Sequence, residues 1–118
     1  MKFSLLLLAL HLVLKWAALN NSAFKKYIAK SHVRVLIKTA DGRQARLFVF
    51  DKGMVSSVCG DRNDFDVALV WRDAATGFAV MTDKREDASF NAAAEGKLKV
   101  LGMSVYAQWF EDAMKLAL

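Results

Sequence analysis

A chain of 118 residues, 55% hydrophobic and 25% charged, has the apolar content to bury a core and is too hydrophobic for intrinsic disorder. Proline is absent and the six glycines are dispersed. That composition excludes a linker, a low-complexity tract and a Gly-rich phosphate loop, and leaves one domain over residues 1–118 as the expectation. Net charge is +5, unevenly divided: 10 Lys/Arg stand against 2 Asp through Cys59, and 7 Lys/Arg against 10 Asp/Glu beyond it. A basic half suits phospholipid headgroups or nucleic acid, although two solvated faces of opposite sign is the plainer reading.

Residues 2–19 are almost continuously apolar, but His11 and Lys15 interrupt the run short of the ~20 residues a bilayer needs. Ser4, His11, Lys15, Ser22 and Lys26 recur at sevens and fours, a narrow polar stripe on an otherwise apolar helix. A core helix, an interfacial membrane helix and a signal peptide are the readings, in that order; Lys15 and the imperfect Trp16-Ala17-Ala18-Leu19 site count against the last. Asn20-Asn21-Ser22 breaks or re-caps the helix, and Ala23 to Ser31 extend the helical pattern.

The period then changes to two. Val33, Val35 and Ile37 alternate with Arg34, Leu36 and Lys38, which predicts a strand with one marked apolar face. Asp41-Gly42 is a hairpin turn, Gln44 to Phe50 the returning strand, Asp51-Lys52-Gly53 a second turn and Met54 to Cys59 a third strand. Gly60-Asp61-Arg62-Asn63-Asp64 is a polar crossover; its Asp-x-Asn spacing matches part of a calcium loop, without the required glycine and terminal Glu. Val67 to Trp71 reads as a strand buried on both faces. Asp73 is a plausible N-cap for a helix carrying Phe78 and Met81, and Asp87 for one carrying Phe90. Glu95-Gly96-Lys97-Leu98-Lys99-Val100-Leu101-Gly102 is a short strand between glycines, Gly96 serving the preceding helix as a left-handed C-cap. The last helix, from Met103, places Ser104, Gln108, Glu111, Asp112 and Lys115 on one face. Met103, Tyr106, Trp109, Phe110 and Ala113 occupy the other.

From about Val33 onward this order of pieces resembles the sterol-carrier-protein lipid-binding domain. The likeness rests on Gly96-Lys97-Leu98-Lys99 with its bracketing helices and on Asp66-Val67-Ala68-Leu69-Val70-Trp71. It extends to the acidic-started segment Arg72 to Met81 and to Ala88-Ser89-Phe90-Asn91-Ala92. Residues 1–30 match least. The resemblance implies an α/β (α+β) fold: an N-terminal helix, a three-strand meander, a crossover, and a five-stranded mixed sheet with helices on one face. It also implies a lipid held in an apolar tunnel between sheet and helices, with the C-terminal helix as wall or lid.

Catalytic constellations are missing from the sequence. His11 and His32 have no Cys or paired carboxylate near them, and Cys59 has no evident activating base. As the single cysteine, it excludes an intrachain disulfide and a thiol cluster for metal, and a reducing cytoplasm is the expected compartment. No cofactor and no metal are expected. The chain does have soft apolar surface: Phe78, Met81, Phe90, Met103, Tyr106, Trp109, Phe110 and Met114 are the candidate ligand-binding residues. Core filling is the ordinary use of most such side chains; an adaptable pocket is the functional one.

The expected function is therefore non-catalytic binding, transfer or presentation of a lipid, fatty acyl chain, sterol-like molecule or isoprenoid. The alternative is an accessory scaffold that dimerises or docks on an enzyme through apolar helices. Peripheral contact with an anionic membrane and a homodimer are further partner expectations. A nucleic-acid surface of Arg34, Lys38, Arg46, Lys97 and Lys99 ranks last, because only Phe48 and Phe50 on those strands offer stacking rings.

Overall fold

Alternating side chains and tight turns build the sheet before any helix is placed. In the computed structural model, which describes residues 2–81, 91 and 93–117, the elements run α1 (Lys2–Asn20), α2 (Ser22–Ile28), β1 (His32–Thr39), β2 (Ala45–Asp51) and β3 (Met54–Cys59). They continue with β4 (Val67–Trp71), α3 (Ala74–Met81), β5 (Leu98–Gly102) and α4 (Ser104–Ala117). The side chains of residues 2, 3, 78 and 81 are not among those described. The five strands form one mixed sheet in the order β3-β2-β1-β4-β5. β1, β2 and β3 make the antiparallel meander, β4 joins β1 in parallel after the crossover, and β5 returns antiparallel to β4.

The turns use the residues that their geometry requires. Thr39 Oγ1 donates to Asp41 Oδ1 (2.6 Å), whose other neighbour is the Arg43 amide (3.0 Å), so the Asp41-Gly42 turn is tied from both sides. Lys52 and Gly53 both have positive φ, 48° and 90°, the backbone of a two-residue hairpin between β2 and β3. Asn21 caps α2 by accepting from the Phe24 amide (3.1 Å), and its side chain also donates to the carbonyl of Leu116 (2.7 Å) near the end of α4. The chain bends by 98° there. Among the described residues no single helix is long and apolar enough to cross a membrane. Asp73 caps α3 through the Thr76 amide (2.7 Å). The helical residues 91, 93 and 94 end at Gly96 with φ 77°, the expected left-handed cap. The cap expected at Asp87 lies outside the described residues.

Two apolar layers sandwich the sheet. The larger lies on the helix side and joins Leu7, Leu10, Leu14, Ala17 and Ala18 of α1, Phe24 and Ile28 of α2, and Phe110 and Ala113 of α4 to inward residues of all five strands. A smaller one, Leu36, Ala45, Leu47, Ala68 and Val70, lies on the opposite face with Val49, Phe65 and Leu101 packed against it. Alternation explains both: Val33, Val35 and Ile37 go to the first layer and Leu36 to the second. β4 serves both, which is why its five residues are all buried.

α1 departs from its sequence reading in one respect. One apolar arc is buried, as a core helix requires, but the polar stripe is not all that it exposes. Leu5, Leu8, Leu12, Trp16 and Leu19 also face solvent. A helix apolar on nearly all sides can give only one side to a single sheet.

Gly102 has φ 84°, and a Cβ there would stand 2.5 Å from the Asp66 carbonyl oxygen. Gly96 has a similar φ but open space around it. Gly102→Ala should therefore cost about 3 kcal/mol in urea-induced unfolding, against about 1 kcal/mol for Gly96→Ala. Removal of residues 1–19 strips five buried side chains from the helix-side layer. Each buried Leu is worth roughly 1.5–3 kcal/mol and a domain's whole stability is about 5–15 kcal/mol. The truncated chain should aggregate, and one with an unchanged melting temperature would refute the core role of α1.

Candidate functional site

The layer between sheet and helices is where the resemblance implies a ligand. α4 enters it through three contacts. The Trp109 ring stacks on Tyr27 of α2 at 5.5 Å between centroids and meets the edge of Phe50 of β2 at 5.1 Å. Phe110 approaches the same Phe50 at 6.0 Å. Tyr27 also donates its hydroxyl to the Trp109 carbonyl (3.2 Å). Partial burial, with the Asp112 carboxylate as a lesser influence, raises the Tyr27 pKa, so its hydroxyl stays protonated as that donor. Aromatic contacts of this kind add about 0.5–1.5 kcal/mol each beyond the area buried.

The candidate residues separate on inspection. Phe110 is buried; Tyr106, Trp109 and Met114 are half-buried against the same layer. Met103 precedes α4 and is 57% exposed. Phe78 and Met81 lie on α3, with side chains outside those described, and Phe90 lies outside the described residues altogether. Trp109 and Phe110 thus couple α4 to α2 and β2 besides facing the layer.

The sequence did not single out Trp71. Its side chain is buried at 2% exposure in the helix-side layer, and its indole N–H has no hydrogen-bond partner among the described residues. A buried donor left unpaired costs about 1–3 kcal/mol, so the layer holds one polar group that an incoming acceptor would satisfy. Two depressions among the described residues lie elsewhere. One is an open basin of about 630 Å³ on α2, lined by Ser22, Ala23, Lys25, Lys26 and Ala29. The other, about 100 Å³, lies between Ser4 and Leu7 of α1, the 42–46 segment and Cys59-Gly60.

The basic residues do not form one stripe. Arg34 holds Asp66, Lys38 holds Asp61 and Lys97 holds Glu95. Arg46 instead donates to Ser57 Oγ (2.7 Å), and Phe48 and Phe50 are fully buried in the helix-side layer. The open basic face with stacking rings, needed for the nucleic-acid reading, is not assembled by these residues. Among the described residues no group of three or more His, Cys, Asp or Glu could hold a metal ion. Asp61 and Asp64 of the calcium-like segment are engaged by Lys38 and Arg62.

A second polar cluster ties α1 to β3. Arg46 donates to Ser57 Oγ, and the Ser57 hydroxyl shares a hydrogen bond with His11 Nδ1, 2.7 Å away. Burial, then the charges of Arg46 and Lys15, hold His11 below the ordinary imidazole range.

Solved structures share this architecture. The chain superposes on UbiJ-SCP2, a ubiquinone synthesis protein, with a TM-score of 0.72 over 96% of its own length and 91% of that chain, at 17% identity. With the apo form of sterol carrier protein 2 from Yarrowia lipolytica the TM-score is 0.57 at 21% identity, covering 92% and 88% of the two chains. The chain has the sterol-carrier-protein fold. The same fold matches part of a stereoselective inverting sec-alkylsulfatase, Pisa1 from Pseudomonas sp., at a TM-score of 0.56 and 12% identity. There 78% of this chain corresponds to 14% of the enzyme. No protein-family model and no curated protein sequence matches the chain. The layer containing Trp71 and the α4 aromatics lies between the sheet and the helices.

The His11 shift has a consequence for stability. A histidine held below its unfolded value favours the neutral form on folding, so its contribution is present above the unfolded pKa and lost as pH falls. The melting temperature should drop between about pH 7 and about pH 5, before most carboxylates titrate. His11→Gln should flatten that part of the profile in thermal scans.

Proposed function

We propose that this chain binds a long-chain amphiphile, a fatty acyl, sterol-like or isoprenoid molecule, and carries or presents it without transforming it. The single observation that carries the reading is the buried Trp71 N–H, unsatisfied among the described residues, within an apolar layer of a sterol-carrier-protein fold. Ligand sites combine an apolar lining with a few placed polar groups, and here the polar group calls for an acceptor oxygen on the ligand. Tyr106, Trp109, Phe110 and Met114 on α4 form the proposed wall. Phe78, Met81, Phe90 and Met103 remain proposed contributors. The named relatives support the reading by kind: a sterol carrier protein and a ubiquinone synthesis protein. The proposed setting is the cytoplasm.

A second reading, an accessory module that docks through apolar helices, is favoured by the solvent-facing leucines of α1. The two are compatible, since presentation of a ligand requires a surface on which to present it.

Titration with palmitate or a long-chain prenyl alcohol should change the tryptophan fluorescence at micromolar ligand, and native mass spectrometry should find a bound amphiphile. Trp71→Phe removes the orphan donor while conserving an apolar ring. It should leave the melting temperature unchanged or higher and weaken binding roughly fivefold to tenfold. A folded protein that binds neither amphiphile at micromolar concentration would end the carrier reading.

A further inference from the structure

The outward face of α1 is apolar and exposed. At about 100° per residue, Leu5, Leu8, Ala9, Leu12, Val13, Trp16 and Leu19 fall within an arc of roughly 140°, and all of them face solvent. Leu5 is 67% exposed, Trp16 61% and Leu19 74%. Such a surface amounts to several hundred Å² of contiguous apolar area, about the scale that marks a contact site on a soluble protein.

Its spacing identifies the occupant. The large residues at 5, 8, 12, 16 and 19 are separated by three, four, four and three, a series that reads the same from either end. We infer that a second copy of this chain covers the face, with the two α1 helices antiparallel about a two-fold axis through Leu12. In that register Leu12 meets the partner's Leu12, Leu8 meets the partner's Trp16 and Leu5 meets the partner's Leu19. A two-fold interface requires this kind of self-complementarity, because each residue sees the same patch it belongs to.

Charge agrees. α1 carries no acidic residue, and Lys15 lies at the rim of the arc. The antiparallel register sets Lys15 opposite the partner's Ala9, whereas a parallel pair would bring the two lysines together and the two Trp16 rings into one layer. An anionic lipid surface is the weaker fit. α1 contributes only two lysines, Lys2 and Lys15, and α2, which bears Lys25 and Lys26, turns away by 98°. Standard interfaces bury roughly 800 Å² on each side, so the arc with its polar rim is of the right order for a reversible dimer.

The test uses the full chain, lipid-free, in sedimentation velocity over a range of micromolar concentrations. A monomer–dimer equilibrium is expected, and Leu12→Glu, which sets like charges on the axis, should raise its dissociation constant roughly a hundredfold or more. Because Leu12 is exposed, the melting temperature of the Leu12→Glu monomer should be that of the parent monomer. In a Cys59→Ser background, Leu12→Cys should cross-link to itself on oxidation. Leu5→Cys mixed with Leu19→Cys should give the heterologous cross-link in preference to either self-pair. A chain that stays monomeric throughout, a dimer indifferent to Leu12→Glu, or self-pairing of Leu5→Cys would each overturn the inference. So would a monomer that co-sediments with phosphatidylglycerol vesicles and loses this with Leu12→Glu, since lipid would then be the occupant.

Discussion

Asp66 is the junction at which three separate parts of the chain are fixed to one another. Its carboxylate accepts from the backbone of Arg34 (2.8 Å) and from the guanidinium of the same residue, while its amide donates to the Arg34 carbonyl. Its own carbonyl accepts from the Met103 amide (3.0 Å) and lies against Gly102. One residue therefore sets β4 beside β1 after the crossover and sets the angle at which β5 passes into α4. Burial acts to raise the Asp66 pKa, but the Arg34 hydrogen bonds and charge outweigh it and keep the carboxyl below the usual range. A parallel pair formed across a crossover has a large loop-closure cost, and a charge-assisted, bidentate clamp just before its first residue offsets part of it.

From that junction α4 is aimed across the sheet, so that Trp109 and Phe110 land on Phe50 and Tyr27. The wall of the proposed site is thus positioned by contacts distant in sequence: Tyr27 and Trp109 are 82 residues apart. The Asn21 side chain reaches Leu116 from the bend between α1 and α2, securing the far end of the same helix. A ligand entering beside Trp71 would press on a helix held at both ends.

Much of this was legible in the sequence because it is local. Period-two alternation gave β1, the Asp41-Gly42 and Lys52-Gly53 turns gave the meander, and the paired glycines bounded β5. What was not legible depends on which partner a surface finds. The polar stripe of α1 separates two apolar arcs, and nothing in residues 2–19 says which one the sheet will take. The burial of Leu36 and Leu47 on the second face depends on Phe65 packing there and on the crossover, which Asp61 ties to Lys38. Arg46 looked equivalent to Arg34 and Lys38, but register places it opposite Ile37 on the helix side. Of the site, the α4 residues were readable from helical period alone. The orphan N–H of Trp71 was not, since an unsatisfied donor is defined by what its neighbours lack.

The order β3-β2-β1-β4-β5 leaves the sheet with two unlike borders. β5 ends one side as five residues between glycines, with Lys99 projecting from it, and lysine on a border strand deters the addition of another. β3 ends the other side without a charged residue from Met54 to Cys59, and Met54 and Val58 are exposed. Its inner face is held down by α1 through the hydrogen bond between Ser57 and His11, but its outer backbone groups have no neighbouring strand among the described residues. β3 is accordingly the border with less to deter the addition of a foreign strand.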